Sequence, residues 1–186
     1  MFINSQLASE LNQHGFSSAF LTGPHGPVLF SAIPSLLRLL LVTDGTVTKA
    51  LEAYFNVPIR VQLLSQFPTV NLAANDALAL DAKRVILRSV QLIRTDSNMI
   101  MACARSTIAL DLLPEDLADG LLAGHLGIGE LIRSQGLDTY RQLRDLGVSE
   151  REGVLGVWRR YAICKQHIAL MQVEEWFPWN VYASAN

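Results

Sequence analysis

The sequence has 186 residues, of which 50% are hydrophobic and 17% are charged, and 15 Lys and Arg against 17 Asp and Glu give a formal net charge of −2. Disordered chains combine low hydrophobicity with high net charge, so this composition excludes that class. Proteins that bind nucleic acids usually carry a basic patch, and because the sequence has no basic run we expect no nucleic-acid partner. The length suits one domain, residues 1–186.

The first third of the chain is predicted to be mainly helical, because its apolar residues recur at helical spacing. The predicted elements are a short helix near residues 7–11, a Gly- and Pro-rich turn at 23–27, a helix at 34–42 and a second helix ending near residue 55. Asp44 or Thr46 can cap the second helix. The apolar run at residues 33–42 is too short to span a membrane, and it contains Arg38.

From residue 59 the apolar pattern changes to the two-residue period of strands. The predicted elements are a strand at 59–63, a loop at 68–81, strands at 83–94 and 99–110 joined by a turn at 95–98, helices at 114–123, 130–135 and near 140–144, and final strands at 157–164 and 167–177. Strands that cluster in hairpins, with helices outside them, predict an α+β fold with a single antiparallel sheet and flanking helices.

The cysteines and the N-terminal residues indicate in which cellular compartment the protein is expected. Cys103 and Cys164 lie in apolar runs and are too few for a disulfide framework. No Lys or Arg precedes Arg38, so the positive segment of a secretory signal peptide is missing. We therefore expect a cytoplasmic protein with buried thiols. The high apolar fraction then has three explanations: a large core, an apolar cavity, or an interface between subunits.

Two arginines in the predicted hairpin suggest an anion site. A symmetric turn on Asp96 and Ser97 places Arg88 directly opposite Arg105, and like charges in that position are destabilising unless something neutralises them. Two arginines on an apolar surface suit a carboxylate or dicarboxylate, which they bind through bidentate hydrogen bonds. The alternatives are a pair on the solvent face, arginines bridged to Asp or Glu, or a turn of odd length that breaks the pairing.

Two adjacent glutamates in the last predicted strand are the second candidate feature. Strand alternation places Glu175 on the side of Met171, Val173 and Phe177, and Glu174 on the other side. A carboxyl group on an apolar face favours its protonated form, which suits a general acid. The alternative is a solvent-facing or ion-paired glutamate, which is the commoner situation for this residue type.

Other signals for chemistry are weak. The four histidines have no metal-ligand spacing and the sequence has no Cys-x-x-Cys, so we expect no metal site. The run at residues 124–129 has three glycines but lacks the Lys-Ser/Thr ending of a phosphate loop. No serine lies in a nucleophile-elbow motif.

Five segments, in one order, resemble the chorismate pyruvate-lyase family. The first is Leu-Leu-Val-Thr-Asp-Gly-Thr-Val-Thr-Lys-Ala-Leu-Glu-Ala at residues 40–53. The others are Val-Ile-Leu-Arg-Ser-Val-Gln-Leu at 85–92, Ala-Cys-Ala-Arg-Ser-Thr-Ile at 102–108, Leu-Gly-Ile-Gly-Glu-Leu-Ile at 126–132 and Val-Glu-Glu-Trp-Phe-Pro at 173–178. The resemblance covers about residues 33–178, and it is closer to a branch that serves other quinones or phenolic lipids than to the ubiquinone-pathway enzymes.

This resemblance implies a fold and a reaction. The family's fold is an antiparallel sheet whose helices close flaps over an internal site that excludes water. Its reaction splits chorismate into 4-hydroxybenzoate and pyruvate, without a metal or an organic cofactor. The expected partners are therefore these small molecules.

The resemblance also implies site residues. Arg88 matches the arginine that binds the ring carboxylate, and Arg105 is assigned to the enolpyruvyl carboxylate or to the approach to the site. Main-chain groups of two flap segments hold the ring carboxylate in the family. Those segments match Val47 with its neighbour Thr46, and Ile128 with its neighbour Gly129.

The family's catalytic carboxylate precedes an apolar-Phe pair, which selects Glu175. Alignment on the following proline selects Glu174 instead, and the apolar-face argument favours Glu175. Its implied role is to donate a proton or hydrogen bond to the ether oxygen, with an intramolecular hydrogen transfer as the alternative. Two other functions stay open: a non-catalytic module of the same fold that binds an aromatic acid, and an assembly protein.

Overall fold

The computed structural model describes residues 20–70, 82–124 and 127–183, so the predicted helix near residues 7–11 and most of the predicted loop at 68–81 lie outside the described residues. In chain order the elements are β1 (Phe20–Leu21), β2 (Val28–Leu29), α1 (Ser35–Val42), α2 (Val47–Phe55), β3 (Ile59–Val70), β4 (Arg84–Arg94), β5 (Ile100–Ala109), α3 (Glu115–Ala123), α4 (Ile128–Ser134), β6 (Tyr140–Arg151), β7 (Val154–Lys165), β8 (Ile168–Pro178) and α5 (Trp179–Ala183).

A six-stranded sheet in the order β3-β4-β5-β8-β7-β6 forms the centre of the molecule, and every neighbouring pair is antiparallel. Strands β1 and β2 form a separate small hairpin. The predicted fold class, α+β with an antiparallel sheet and flanking helices, is confirmed. No helix within the described ranges is both long enough and apolar enough to cross a bilayer.

The helices cover one face of the sheet, which we call the inner face, and they pack there in two core clusters. The first cluster joins α1, α2 and α5 to sheet residues that include Leu92 and Ala102. The second joins α3 and α4 to sheet residues that include Ile86 and Ile108. Along β4 the inner-face positions between Leu92 and Ile86 belong to neither cluster. The gap between the clusters is therefore where a cavity can form.

Helix α1 shows why the helices that pack on the sheet can be predicted from the sequence. Its buried residues are Leu36, Leu37, Leu40 and Leu41, which recur at the spacing of one helix face, while Leu39 on the opposite side is 57% exposed. A helix of this kind is stabilised mainly by the apolar surface that it buries.

Two sequence predictions about strands are wrong. The predicted helical stretch near residues 140–144 is part of β6, where a bulge between Leu143 and Asp145 interrupts the strand alternation and gives the apolar residues a helix-like spacing. The predicted loop at 68–81 begins too early, because β3 continues through Pro68 to Val70. Strand β3 is an edge strand of the sheet, where a proline is tolerated.

The predicted register of the β4–β5 hairpin is also wrong. Ile93 pairs with Ile100, but Leu92 pairs with Ala102, so Met101 is an extra residue in β5. Beyond this bulge every pairing shifts by one residue, and a shift of one turns a side chain to the other face. Arg88 and Arg105 are consequently not opposite one another and lie on different faces of the sheet.

Two leucines in α1 test the proposed core. Leu40→Ala is expected to lower the free energy of unfolding by about 2–5 kcal/mol, because the substitution removes a fully buried side chain from the first cluster. Leu39→Ala makes the same chemical change on the exposed side and is expected to cost less than about 0.5 kcal/mol. Urea denaturation of both variants measures the difference, and equal losses would contradict this packing.

Candidate active site

A cavity of about 90 Å³ lies between the two core clusters, against the inner face of the sheet. Its floor is mainly apolar and is formed by side chains of β4, β5 and β8, namely Val90, Leu92, Ala102, Ala104 and Val173. Titratable side chains reach the same space from strands and from the two segments that cover it. A mainly apolar cavity with a few convergent polar groups is typical of sites that bind small molecules.

Two flaps, residues 45–49 and 127–130, cover the cavity and touch each other. A Cβ atom on Gly129 would lie only 3.0 Å from Thr46 Oγ1, so a larger residue would force the flaps apart. Arg133 Nη2 donates a hydrogen bond to the same Oγ1 atom at 2.7 Å. The predicted flap residues Val47, Thr46, Ile128 and Gly129 all line the cavity, with Val47 and Ile128 as the first residues of α2 and α4.

Arg88 reaches the cavity from β4 and is only 4% exposed. Its cross-strand partner is Ser106, and its Nη2 donates to the carbonyl oxygen of Gly124 at 3.5 Å. Burial lowers the pKa of the Arg88 guanidinium, because the charged form loses hydration. A carboxylate bound here would offset that loss and is the natural ligand of a buried guanidinium.

Glu175 reaches the cavity from β8 and is 8% exposed. Its Oε2 accepts a hydrogen bond from Arg159 Nε at 2.7 Å, and its Oε1 accepts one from the Tyr161 hydroxyl at 3.1 Å. The sequence predicted an apolar environment that favours a general acid. The structure instead gives this carboxylate two hydrogen-bond donors, one of them a charged guanidinium.

Arg159 ties Glu175 to Thr43, which lies just before the first flap at residues 45–49. The arginine is 2% exposed, and its Nη1 donates to the Thr43 carbonyl oxygen at 2.7 Å. Its guanidinium also lies over the Tyr161 ring, 4.7 Å from the centroid. Burial raises the pKa of the Tyr161 hydroxyl well above its usual range, so this group remains a donor at neutral pH.

Sequence reasoning missed Arg159 and Tyr161, although both lie in a predicted strand. Their spacing of two places them on one face, but only the pairing of β7 with β8 shows that Arg159 lies beside Glu175 and shares its face. Two further arginines at the cavity, Arg133 and Arg141, were also missed. Arg141 lies in the segment that was predicted to be helical.

Arg105 and Glu174 lie away from the cavity, on the outer face of the sheet. They are cross-strand partners, and Glu174 also forms ion pairs with Arg151 at 2.9 Å and Arg160 at 3.1 Å. The expectation that Arg88 and Arg105 converge on one ligand is therefore wrong. Of the two adjacent glutamates, the one that lines the cavity is Glu175.

Cys103 and Cys164 do not line the cavity, and neither forms a disulfide bond. Burial raises the pKa of the Cys103 and Cys164 thiols, which lowers their thiolate fraction at neutral pH. Over residues 20–70, 82–124 and 127–183, no group of three or more His, Cys, Asp and Glu side chains is arranged to hold a metal ion.

Comparison with known proteins identifies similar sequences. The sequence profile of a family described as chorismate pyruvate-lyase, Rv2949c-like, matches residues 41–184. The chain is 32% identical over 162 residues to the chorismate pyruvate-lyase of Mycobacterium leprae, an alignment that covers 78% of this chain and 75% of that protein. It is 25% identical over 164 residues to the chorismate pyruvate-lyase of Mycobacterium tuberculosis, covering 80% and 82% of the two chains.

Among solved structures, the effector domain of PhnF from Mycobacterium smegmatis has a similar fold. The TM-score is 0.53 at 13% sequence identity, and the match covers 75% of this chain and 91% of that one. A structure of PhnF from the same organism gives a TM-score of 0.54, also at 13% identity, over 75% of this chain and 66% of that one. At this identity the likeness concerns the fold.

The hydrogen bond from Tyr161 to Glu175 can be tested by removing one hydroxyl group. Tyr161→Phe is expected to lower the free energy of unfolding by roughly 1–3 kcal/mol, because a buried carboxylate oxygen loses its donor. Tyr140→Phe is the matched control, since that hydroxyl is exposed, and we expect a change below about 0.5 kcal/mol. Urea denaturation reports both values. A loss at Tyr161 no larger than at Tyr140 would contradict the contact.

Proposed function

This chain belongs to the Rv2949c-like chorismate pyruvate-lyase family, and on that premise we propose that it splits chorismate into 4-hydroxybenzoate and pyruvate. One observation carries the proposal: a mainly apolar cavity holds a buried guanidinium, Arg88, and a buried carboxylate, Glu175, on the same face of the sheet. A ring that carries a carboxylate suits such a space, since apolar walls pack against the ring and a guanidinium binds the acid.

In this proposal Arg88 binds the ring carboxylate, with the backbone of the two flaps at Val47 and Ile128 beside it. Thr46 and Gly129 keep the flaps in contact, which excludes water from the ring. Four of the lining side chains, Lys49, Arg88, Arg133 and Arg141, are positive and two, Glu130 and Glu175, are negative. This local excess of positive charge suits an anionic substrate, although the whole chain has a net charge of −2.

The reaction needs one bond to break and one hydrogen to leave the ring. The ether bond at ring carbon 3 breaks, and its electron pair leaves with the oxygen as enolpyruvate. The hydrogen on ring carbon 4 leaves as a proton and its bonding electrons complete the aromatic ring. Enolpyruvate takes up a proton at its methylene carbon and becomes pyruvate. Atoms and charge balance without an oxidant or a co-reactant.

Glu175 is proposed to accept the proton from ring carbon 4. Arg159 and Tyr161 both donate to its carboxylate, an arrangement that supports an acceptor better than the acid expected from the sequence. In the alternative route this hydrogen passes directly to the enolpyruvyl methylene carbon, and Glu175 then orients the ring by hydrogen bonding. In both routes aromatisation supplies the driving force, and the chain binds, desolvates and orients the substrate.

The product then serves a biosynthetic step that consumes a 4-hydroxybenzoate. We propose head-group synthesis of a quinone or a phenolic lipid, because the resemblance is closer to that branch of the family. The second candidate function is a module that binds an aromatic acid without converting it. The observation that favours this function is the similarity of the fold to the effector domain of PhnF.

Purified protein mixed with chorismate in metal-free buffer is expected to release 4-hydroxybenzoate and pyruvate in equal amounts. Chromatography measures the first product, and a coupled lactate dehydrogenase assay measures the second. Product formation no faster than the uncatalysed background would contradict the lyase. Tight binding of 4-hydroxybenzoate without turnover would support the binding module instead.

The adjacent glutamates provide a matched pair of variants. Glu175→Gln is expected to lower kcat by about 10²–10⁴-fold, because the acceptor loses its charge, and to change the Kd for 4-hydroxybenzoate far less. Glu174→Gln alters the same functional group on the outer face and is expected to leave kcat within about threefold of the wild type. Steady-state kinetics and isothermal titration calorimetry measure both. If Glu174→Gln is the more damaging change, the assignment to Glu175 is wrong.

A further inference from the structure

Two arginines that the sequence did not single out line the cavity together with Arg88, from other elements of the fold. Arg141 lies on β6 and Arg133 on α4, whereas Arg88 lies on β4. Strands β4 and β6 are four steps apart in the sheet, which at about 4.8 Å per step is at most about 19 Å between their backbones. Two long side chains that reach inward from these positions leave space between them for a small ring with a charge at each end.

Arg133 holds the first flap at Thr46, and Arg141 holds Asp44, the residue directly before that flap. Arg133 Nη2 donates to Thr46 Oγ1 at 2.7 Å, and Arg141 Nη1 donates to the carbonyl oxygen of Asp44. The backbone N–H of Arg141 donates to Asp44 Oδ1 at 2.9 Å, and the Arg141 Nη1 atom lies 3.6 Å from the same oxygen. A guanidinium has five N–H donors, so these contacts leave each arginine with donors for a ligand.

Arg141 has a buried donor that forms no hydrogen bond. Its Nε atom is buried and unpaired among the residues that the structure describes, and its guanidinium lies beside Tyr161, 5.8 Å from the ring centroid. Buried donors are nearly always satisfied in folded proteins, so an unmet one at a cavity calls for a partner. Because the guanidinium is positively charged, an anionic ligand would be the strongest acceptor, and the two oxygens of a carboxylate match the planar array of N–H donors.

The net charge of the cavity lining favours the binding of an anion that carries two negative groups. Four positive and two negative side chains give the lining a net charge of +2, and Arg88 accounts for one of the positive groups. Glu130 and Glu175 are the negative members, and Glu175 is already paired with Arg159. Lys49 is paired with Glu52 at 2.7 Å, which leaves Arg133 and Arg141 as a second positive position in the same space.

We propose that Arg133 and Arg141 bind the second carboxylate of the substrate, the one on its enolpyruvyl side chain. The proposal rests on the proposed function and gives Arg88 and the arginine pair separate carboxylates. After cleavage the pyruvate takes this second carboxylate with it, and 4-hydroxybenzoate keeps only its contact with Arg88. Because the pair also holds Asp44 and Thr46, a dicarboxylate bound here fixes the flap more firmly than the product does.

A pair of stable ligands tests this assignment without any turnover. One is 3-(1-carboxyethoxy)-4-hydroxybenzoate, which carries both carboxylates, and the other is 3-isopropoxy-4-hydroxybenzoate, in which a methyl group replaces the second carboxylate. Calorimetry of the wild type is expected to show at least about tenfold tighter binding of the dicarboxylate. In Arg133→Gln and in Arg141→Gln this ratio is expected to fall to about threefold or less.

Matched variants separate ligand binding from flap support. If Arg133 and Arg141 only support the flap, their substitution would weaken both ligands equally and leave the affinity ratio at its wild-type value. This result would overturn the proposal. Equal affinities of the two ligands for the wild type would also overturn it. Arg160→Gln removes a positive charge from the outer face and should leave both affinities unchanged. Arg88→Gln should weaken both ligands in parallel. If a glutamine variant does not fold, Arg141→Lys keeps the charge and loses the planar fork, and its ratio should still fall.

The outcome is distinct from that of the lyase assay. A high ratio that the arginine substitutions abolish supports this subsite even if chorismate is not turned over, in which case only the lyase proposal fails. Turnover of chorismate together with an unchanged ratio leaves the lyase proposal in place and overturns the subsite.

Discussion

A buried ion pair between Arg159 and Glu175 connects the parts of the molecule on which the site depends. It joins β7 to β8, and the same guanidinium holds the carbonyl oxygen of Thr43 at the end of α1. Breaking such a pair from one side usually costs about 3–5 kcal/mol, because the remaining charge stays buried without compensation. The position of the carboxylate, the chain segment that leads into the first flap and the orientation of the Tyr161 ring are therefore fixed together.

The cavity exists because two core clusters share one sheet face without meeting. Apolar side chains fill the space at both ends of β4, and Arg88 occupies a position between them. Burial costs the Arg88 guanidinium part of its hydration, and a bound carboxylate offsets part of that cost. The lining has four positive and two negative side chains, so the cavity is more positive than the chain as a whole, whose net charge is −2.

The sequence predicted the elements that depend on the local pattern of apolar residues. It did not predict which side chains share a face of the sheet where that depends on strand register. The leucines of α1 recur at helical spacing, so this helix was predicted from the sequence. The bulge at Met101 has no signature in the apolar pattern, and it moves Arg105 to the outer face. The site was predicted in part for the same reason. Glu175 shares the face of its apolar neighbours, whereas its partner Arg159 becomes evident only from the pairing of β7 with β8.

A crystal structure of the protein with 4-hydroxybenzoate bound would test the assignment of the cavity most directly. We expect the ring to lie in the cavity between the two core clusters, with its carboxylate on Arg88 and on the backbone of the flaps. Its hydroxyl group should lie toward Glu175, which remains paired with Arg159. A ligand bound on the outer face beside Arg105 and Glu174, or a cavity that remains closed to the ligand at saturation, would contradict it.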